Sequence, residues 1–237
     1  MTPPETTRLH FQEELELLER QALGAFDMVV EAIERTREAV QETDIELAQL
    51  VIADDDRIDG RYLEVHQSVL SLLARQAPVA TDLRLIAALL DVIKHLERMG
   101  DQCVNICKLL PLAGHEPPSH PVILAKIVEM ATCARSQVSQ AKIAFERRDV
   151  ALAEDLVRQD DAIDLLNREC FKLALEIGDD PDAREWAMHM MLVARSIERI
   201  GDNAVDIGEQ TAFVVTGLFR EFTDASHPNG VPPIPSP

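Results

Sequence analysis

Aromatic side chains are scarce: one tryptophan, one tyrosine and seven phenylalanines in 237 residues. Sandwich and barrel cores draw on aromatic and β-branched pairs across strands, and this chain has little to build them with. Its apolar content is nevertheless 46%, dominated by Leu, Ile, Val and Ala, a mixture suited to long packed helices. Glycine is also sparse, and the 13 prolines gather at the two ends and at a few breaks, so long stretches run without a helix breaker. Only four cysteines occur (Cys103, Cys107, Cys133 and Cys170). One Cys-x-x-x-Cys without a second pair does not define a metal site, and the four read as buried, reduced thiols. No apolar run reaches the length of a membrane span, and Met1 to His10 has no apolar signal core, so a cytoplasmic location is expected. Basic residues are few: 23 Lys and Arg against 42 Asp and Glu, a net charge of −19. Such a surface repels phosphate backbones and anionic membranes, which excludes nucleic acid as an expected partner. There is no glycine-rich phosphate loop, no Gly-x-Ser-x-Gly, no Cys-His signature, and no Glu-x-x-His of the kind di-iron carboxylate bundles use. No catalytic residue is therefore assigned, and the chain is expected to act by binding and not as an enzyme.

What remains is helical periodicity. Leu15, Leu18, Ala22, Phe26, Val29, Val30 and Ile33 recur at three- and four-residue spacing, one buried stripe on a first helix from about Arg8 to Gln41. Thr43-Asp44 supplies a stop and an N-cap, and a second helix runs to about Arg75. Ala77-Pro78 breaks it, with Thr81 or Asp82 expected to cap a third helix ending near Pro111. Residues 113–121, with three prolines and a glycine, read as a linker. A fourth helix runs to about Arg147, Asp149 caps a fifth ending at Gly178, and Asp180-Pro181 starts a sixth that reaches about Phe222. The tail, 223–237, is rich in Pro and Ser and is expected to be disordered.

The two halves repeat. Asp55-Asp56-Arg57-Ile58-Asp59 returns as Asp160-Asp161-Ala162-Ile163-Asp164, 105 positions on, and Asp44 with Leu47-Ala48 returns as Asp149 with Leu152-Ala153 at the same offset. Glu97-Arg98-Met99-Gly100-Asp101 returns as Glu198-Arg199-Ile200-Gly201-Asp202, 101 positions on. The expected fold is all-α: two tandem antiparallel three-helix bundles related by pseudo-twofold symmetry, over 8–112 and 122–222.

The repeated residues carry a cost. On the third helix Glu97, Asp101 and Asn105 form a stripe at four-residue spacing, beside an apolar face of Leu96, Met99, Cys103, Ile106 and Cys107. Glu198, Asp202 and Asp206 repeat the stripe on the sixth. Stacked acids at this spacing cost about 0.2–0.5 kcal/mol per pair, and Gly100 and Gly201 cost roughly 1 kcal/mol each against alanine. A glycine lets a neighbour approach closely, and carboxylates four apart can converge on one hard cation. If the second helix packs on the third, Asp55 and Asp59 face Glu97 and Asp101, while Asp160 and Asp164 face Glu198 and Asp202. An all-oxygen set of that kind suits Mg, Mn, Fe or Ca better than Cu or structural Zn. Against this stands ordinary surface electrostatics, with Arg98 and Arg199 pairing Asp101 and Asp202. The histidines His66, His95 and His189 read as non-ligands.

Leu96-Glu97-Arg98-Met99-Gly100-Asp101 through Asn105-Ile106, and Ile197-Glu198-Arg199-Ile200-Gly201-Asp202 through Asp206-Ile207, resemble the duplicated signature of the PhoU family. Arg75-Gln76-Ala77-Pro78 followed by Thr81-Asp82-Leu83-Arg84-Leu85 is similar to that family's turn into its third helix. The resemblance covers roughly Leu9 to Phe222. It implies a helical-bundle regulator that restrains phosphate-starvation signalling and phosphate uptake, with the phosphate ABC transporter ATPase and a sensor histidine kinase as partners, and a homodimer. It also implies a divalent metal or iron cluster (Fe, Mn, Mg or Zn) held by Glu/Asp-x-x-x-Asp pairs. Those pairs carry over to Glu97, Asp101, Glu198 and Asp202, and to Asp55, Asp59, Asp160 and Asp164. Asn105 stands where the second copy has Asp206, which predicts a weaker first site. A related accessory protein serving a different ion transporter carries the same signature and is the alternative.

Overall fold

The computed structural model describes residues 5–113 and 120–222. Six helices follow in order: α1 Glu5–Glu42, α2 Ile45–Arg75, α3 Ala80–Leu109, α4 Pro121–Arg147, α5 Val150–Leu175 and α6 Pro181–Thr216, with a short 3₁₀ turn, Leu110–Ala113, after α3. Among the described residues there is no strand. Helices α1, α2 and α3 pack on one another as one bundle, and α4, α5 and α6 as a second. The bundles meet where α1 packs on α4 and α3 on α6, so their apolar faces merge into one continuous core. No helix of the described chain is long and apolar enough to cross a membrane.

The periodicity of α1 becomes a buried stripe. Phe11, Leu15, Leu18, Ala22, Phe26, Val29 and Ile33 are all buried. Alanines at Ala22 and Ala25, and at Ala134 and Ala141 on α4, are buried too, and small residues let helix axes approach closely. Ion pairs rim the seam between α1 and α4: Lys142–Asp27 at 2.6 Å, Arg148–Glu19 at 2.7 Å and Arg135–Glu34 at 3.2 Å.

The first break of each bundle is built identically. Thr43 and Arg148, also 105 positions apart, are the two non-glycine residues with positive φ among the described residues, 54° and 56°. Asp44 and Asp149 follow as N-caps, their carboxylates accepting the amides of Leu47 at 2.9 Å and Leu152 at 3.1 Å. Their own amides return to the Ala39 and Ala144 carbonyls, satisfying the ends of the preceding helices.

Four boundaries differ from the sequence reading, the first being that α1 begins at Glu5 and not about Arg8. The N-cap of α3 is Val79, not Thr81 or Asp82. Valine has no side-chain acceptor, so Asp82, inside the first turn, reaches back to the Val79 amide at 3.4 Å while pairing with Arg8 at 2.6 Å. Helix α5 stops at Leu175, ahead of Gly178: its last turn tightens, with the Glu176 amide donating to Leu173 and that of Ile177 to Ala174, which frees the chain to enter the Asp180 cap. Helix α6 ends at Thr216 and not near Phe222, because Gly217 turns left-handed (φ 75°). The chain then folds back, stacking Phe219 on Phe213 with ring centroids 3.9 Å apart and donating the Phe222 amide to Glu209 Oε1 at 2.8 Å. The expected linker, 113–121, falls largely outside the described residues, as does the expected tail, 223–237.

Thr43 holds a β-branched side chain in the left-handed region, where an L-residue costs about 1–2 kcal/mol. Thr43→Gly is expected to raise unfolding free energy by about 1 kcal/mol, read by urea denaturation; a loss of stability would show that the Thr43 side chain contributes something the backbone geometry does not account for.

Two acidic clusters laid against glycines

Gly100 on α3 and Gly201 on α6 are buried, and each faces the partner helix of its bundle. A methyl group at Gly100 would lie 2.7 Å from Asp55 Oδ1 and 3.2 Å from Ile58 Cδ1; at Gly201 it would lie 2.6 Å from Asp160 Oδ1 and 3.2 Å from Ile163 Cδ1. The missing side chain is therefore what allows an aspartate of α2 or α5 to rest on the backbone of α3 or α6. That is the local reason for a costly glycine inside each helix.

Burial and neighbouring charge raise five of these acids. Burial first, and then the charges of Asp59, Asp101 and Glu97, push Asp55 up to about 6. Burial and then Asp101 raise Asp59, and burial, Asp101 and Asp59 raise Glu97. In the second bundle burial again leads and, although a hydrogen bond from Gln137 lowers it, Asp160 reaches about 6, with Asp202, Asp164 and Glu198 adding to the rise. Asp202 is raised by burial and then by Glu198. The Asp pairs of α2 and α5 thus stand opposite the Glu/Asp pairs of α3 and α6. Neither Arg98 nor Arg199 pairs with Asp101 or Asp202 among the described residues; Glu198 instead pairs with Arg195, and Asp164 with Arg168 at 3.6 Å.

The outer stripe members lie elsewhere. Asn105 is exposed. Asp206 turns to the seam between bundles, its carboxylate 3.3 Å from His95 Nδ1, which also donates to Asn203 Oδ1 at 2.8 Å. His95 is thus a bridge from α3 to α6, a role the sequence reading did not give it. His189 Nδ1 is buried without a hydrogen-bond partner among the described residues. Cys103 and Cys107 are buried, and burial pushes their thiols up to about 12 and about 11, so neither offers a thiolate. Gln137 of α4 escaped the sequence reading altogether. It is fully buried, and its Nε2 donates to the Leu156 carbonyl at 3.1 Å and to Asp160 Oδ1 at 3.4 Å. The available signal was an amide inside the apolar stripe formed by Ala134, Val138 and Ala141.

Among the described residues no three His, Cys, Asp or Glu side chains enclose one point as a finished metal cage. The donor chemistry nevertheless fits a hard cation: the sets are all carboxylate, and Asp55 Oδ1 is buried with no hydrogen-bond partner among the described residues. A hard cation held there would satisfy that atom and relieve the repulsion among the acids.

A chain that folds twice into the same three-helix bundle, each copy laying an aspartate on a Glu-Arg-x-Gly-Asp helix, defines a class of duplicated helical-bundle proteins. The PhoU domain matches it twice, over residues 23–110 and 127–211, and the chain belongs to the PhoU family. It is 34% identical over 190 residues to a phosphate-specific transport system accessory protein PhoU homolog of Aquifex aeolicus, covering 78% of this chain and 84% of that one. A protein of the same description from Clostridium acetobutylicum is 30% identical over 220 residues, 92% of this chain and 100% of its own. The crystal structure of PhoU from Pseudomonas aeruginosa superposes with a TM-score of 0.79 at 29% identity, covering 87% of this chain and 99% of that one. That of the phosphate transport system regulatory protein PhoU from Streptococcus pneumoniae gives 0.82 at 23% identity, covering 89% and 99%, and shows the same fold.

An acid whose pKa is raised by folding stabilises the native state in its protonated form. That contribution is complete below the unfolded value of 3.8 and is lost as pH climbs through about 6, for Asp55 and Asp160 alike. The metal-free protein should therefore melt lower at pH 7 than at pH 5, and a protein carrying Asp55→Asn with Asp160→Asn should show a shallower fall. Parallel pH profiles for the two proteins would mean that these carboxylates are not held as described.

Proposed function

We propose that this chain is an accessory protein of a phosphate-specific transport system that restrains phosphate uptake and phosphate-starvation signalling, acting by binding the transporter ATPase and a sensor histidine kinase from the cytoplasmic side. The observation that carries the reading is the match of both bundles, with the Glu-Arg-x-Gly-Asp helix in each copy, to a family whose relatives are described as accessory to phosphate transport. The fold supports an action through binding. One merged core makes a stiff body, and a net charge of −19 speeds encounter with a basic partner surface and makes it salt-sensitive. A homodimer would double the face presented.

The same reading assigns a divalent metal or iron to the two clusters. Asp55, Asp59, Glu97 and Asp101 would hold it in the first bundle, and Asp160, Asp164, Glu198 and Asp202 in the second. When bound, such an ion supplies positive charge that ties α2 to α3 and α5 to α6. The chain's own residues do the rest: Gly100 and Gly201 admit the inner aspartates, and Ile58 and Ile163 seal their apolar side.

Two measurements test this. Deletion of the gene, with no paralogue present, should leave phosphate-starvation genes switched on in phosphate-rich medium, and low-salt pull-downs should recover the ATPase or the kinase. Normal repression would move the chain to the accessory of a different ion transporter. Separately, elemental analysis should find hard divalent metal or iron in the purified protein, and Asp101→Ala with Asp202→Ala should remove most of it; no metal, or no change, would leave the clusters as surface charge.

A further inference from the structure

The two clusters share a sequence pattern but not a set of partners. In the first, no ion pair or side-chain hydrogen bond among the described residues reaches Asp55, Asp59, Glu97 or Asp101, and Asp55 Oδ1 is buried with nothing to accept from. In the second, three of the four corresponding acids are engaged: Asp160 by the Gln137 amide at 3.4 Å, Asp164 by Arg168 at 3.6 Å and Glu198 by Arg195. Gln137 is the pivot of this difference. Its side chain is wholly buried, and its Nε2 is fixed by the Leu156 carbonyl at 3.1 Å, so the amide is aimed at Asp160.

The repeat shows what the first bundle has instead. The offset of 105 that relates Asp44 to Asp149 and Thr43 to Arg148 relates Gln137 to Ala32. Ala32 leaves room. Together with Asp55, Arg35, Gly100 and Cys103 it lines a narrow, partly open cleft. Of the two guanidiniums lining that cleft, Arg35 is taken by Asp54 at 2.5 Å, and Arg57 makes no ion pair with the four acids among the described residues. Four carboxylates with no cation paired to them attract a dication more strongly than four that share two guanidiniums. A buried carboxylate oxygen without a partner is costly until a donor or cation reaches it, and in the second bundle the amide of Gln137 already does so.

Resting on the cation reading above, we propose that the duplication has diverged: the first-bundle cluster is the cation-responsive site, and the second is closed from within, with Gln137 standing where a cation would act on Asp160. Gln137 is a positioning residue, and Ala32 is the vacancy that keeps the first site open. The order of the two sites is then the reverse of the one Asn105 suggests.

The test is titration of the full chain, stripped of metal, with Mn²⁺, followed by calorimetry and by the shift in melting temperature. Wild type should show one dominant class of site. Asp55→Asn should weaken it roughly tenfold, and Asp160→Asn should change it by no more than about twofold. Ala32→Gln, which installs the amide in the first bundle, should weaken binding roughly tenfold, and Gln137→Ala should add a second class of site. The two Asp→Asn variants are close in size to wild type and keep the comparison valid should either swap fail to fold, as circular dichroism would show. Equal weakening by Asp55→Asn and Asp160→Asn overturns the divergence while leaving the cation reading intact. No Mn²⁺ binding by any of these proteins overturns the cation reading itself.

Discussion

In each half of this protein a carboxylate lies against a helix backbone at a point where glycine provides no side chain: Asp55 on Gly100, and Asp160 on Gly201. Much of the rest follows from that contact. It requires α2 to approach α3, and α5 to approach α6, at the depth of Ile58 and Ile163, which are buried beside the aspartates. It also places the inner aspartate in the field of the acids one turn away on both helices. Glycine inside a helix costs about 1 kcal/mol against alanine, and each buried carboxylate carries a desolvation cost. Neither helps the fold stand in the absence of a partner for the acids. Their retention in both copies is a physical argument that the arrangement serves binding.

The fold around the contact is conservative. Two copies of one bundle share a seam in which α1 meets α4 and α3 meets α6. The hydrophobic faces are continuous across it, and ion pairs and the His95–Asn203 hydrogen bond rim it. A body of this kind has its acidic clusters on the two flanking pairs, α2 with α3 and α5 with α6. A change at either cluster therefore bears on how its flanking helix is held, without requiring the central seam to move.

Much of this was legible in the residues because it is periodic. The α1 stripe, the six helices, the N-cap aspartates Asp44, Asp149 and Asp180, and the facing of Asp55 and Asp59 towards Glu97 and Asp101 all follow from spacing and from offsets of 105 and 101. What escaped was set by tertiary geometry. Val79 caps α3 because Asp82 can reach back from inside the turn while Arg8 holds it. The stripe on α6 continues in sequence to Phe222, but Gly217 reverses the chain and lays Phe219 on Phe213. Gln137 is one polar residue within an apolar stripe, and its use appears only when α4 is packed against Asp160. Arg195 and Arg168, not Arg98 and Arg199, answer the second cluster, since rotamers and neighbours choose among arginines that spacing leaves equivalent. The geometry behind the Asn105 and Asp206 comparison was likewise hidden: Asp206 turns to His95 and the seam, and the side chain that reaches Asp160 is contributed by α4.

Asp55 Oδ1, buried against Gly100, is the atom on which the proposed cation site depends. The direct measurement is anomalous diffraction from crystals of the full chain grown with Mn²⁺. The predicted result is a manganese peak bonded to Asp55 Oδ1, with Glu97 or Asp101 drawn in beside it. Manganese absent from the Asp55 cluster, with Asp55 Oδ1 still unpartnered against Gly100, would contradict it.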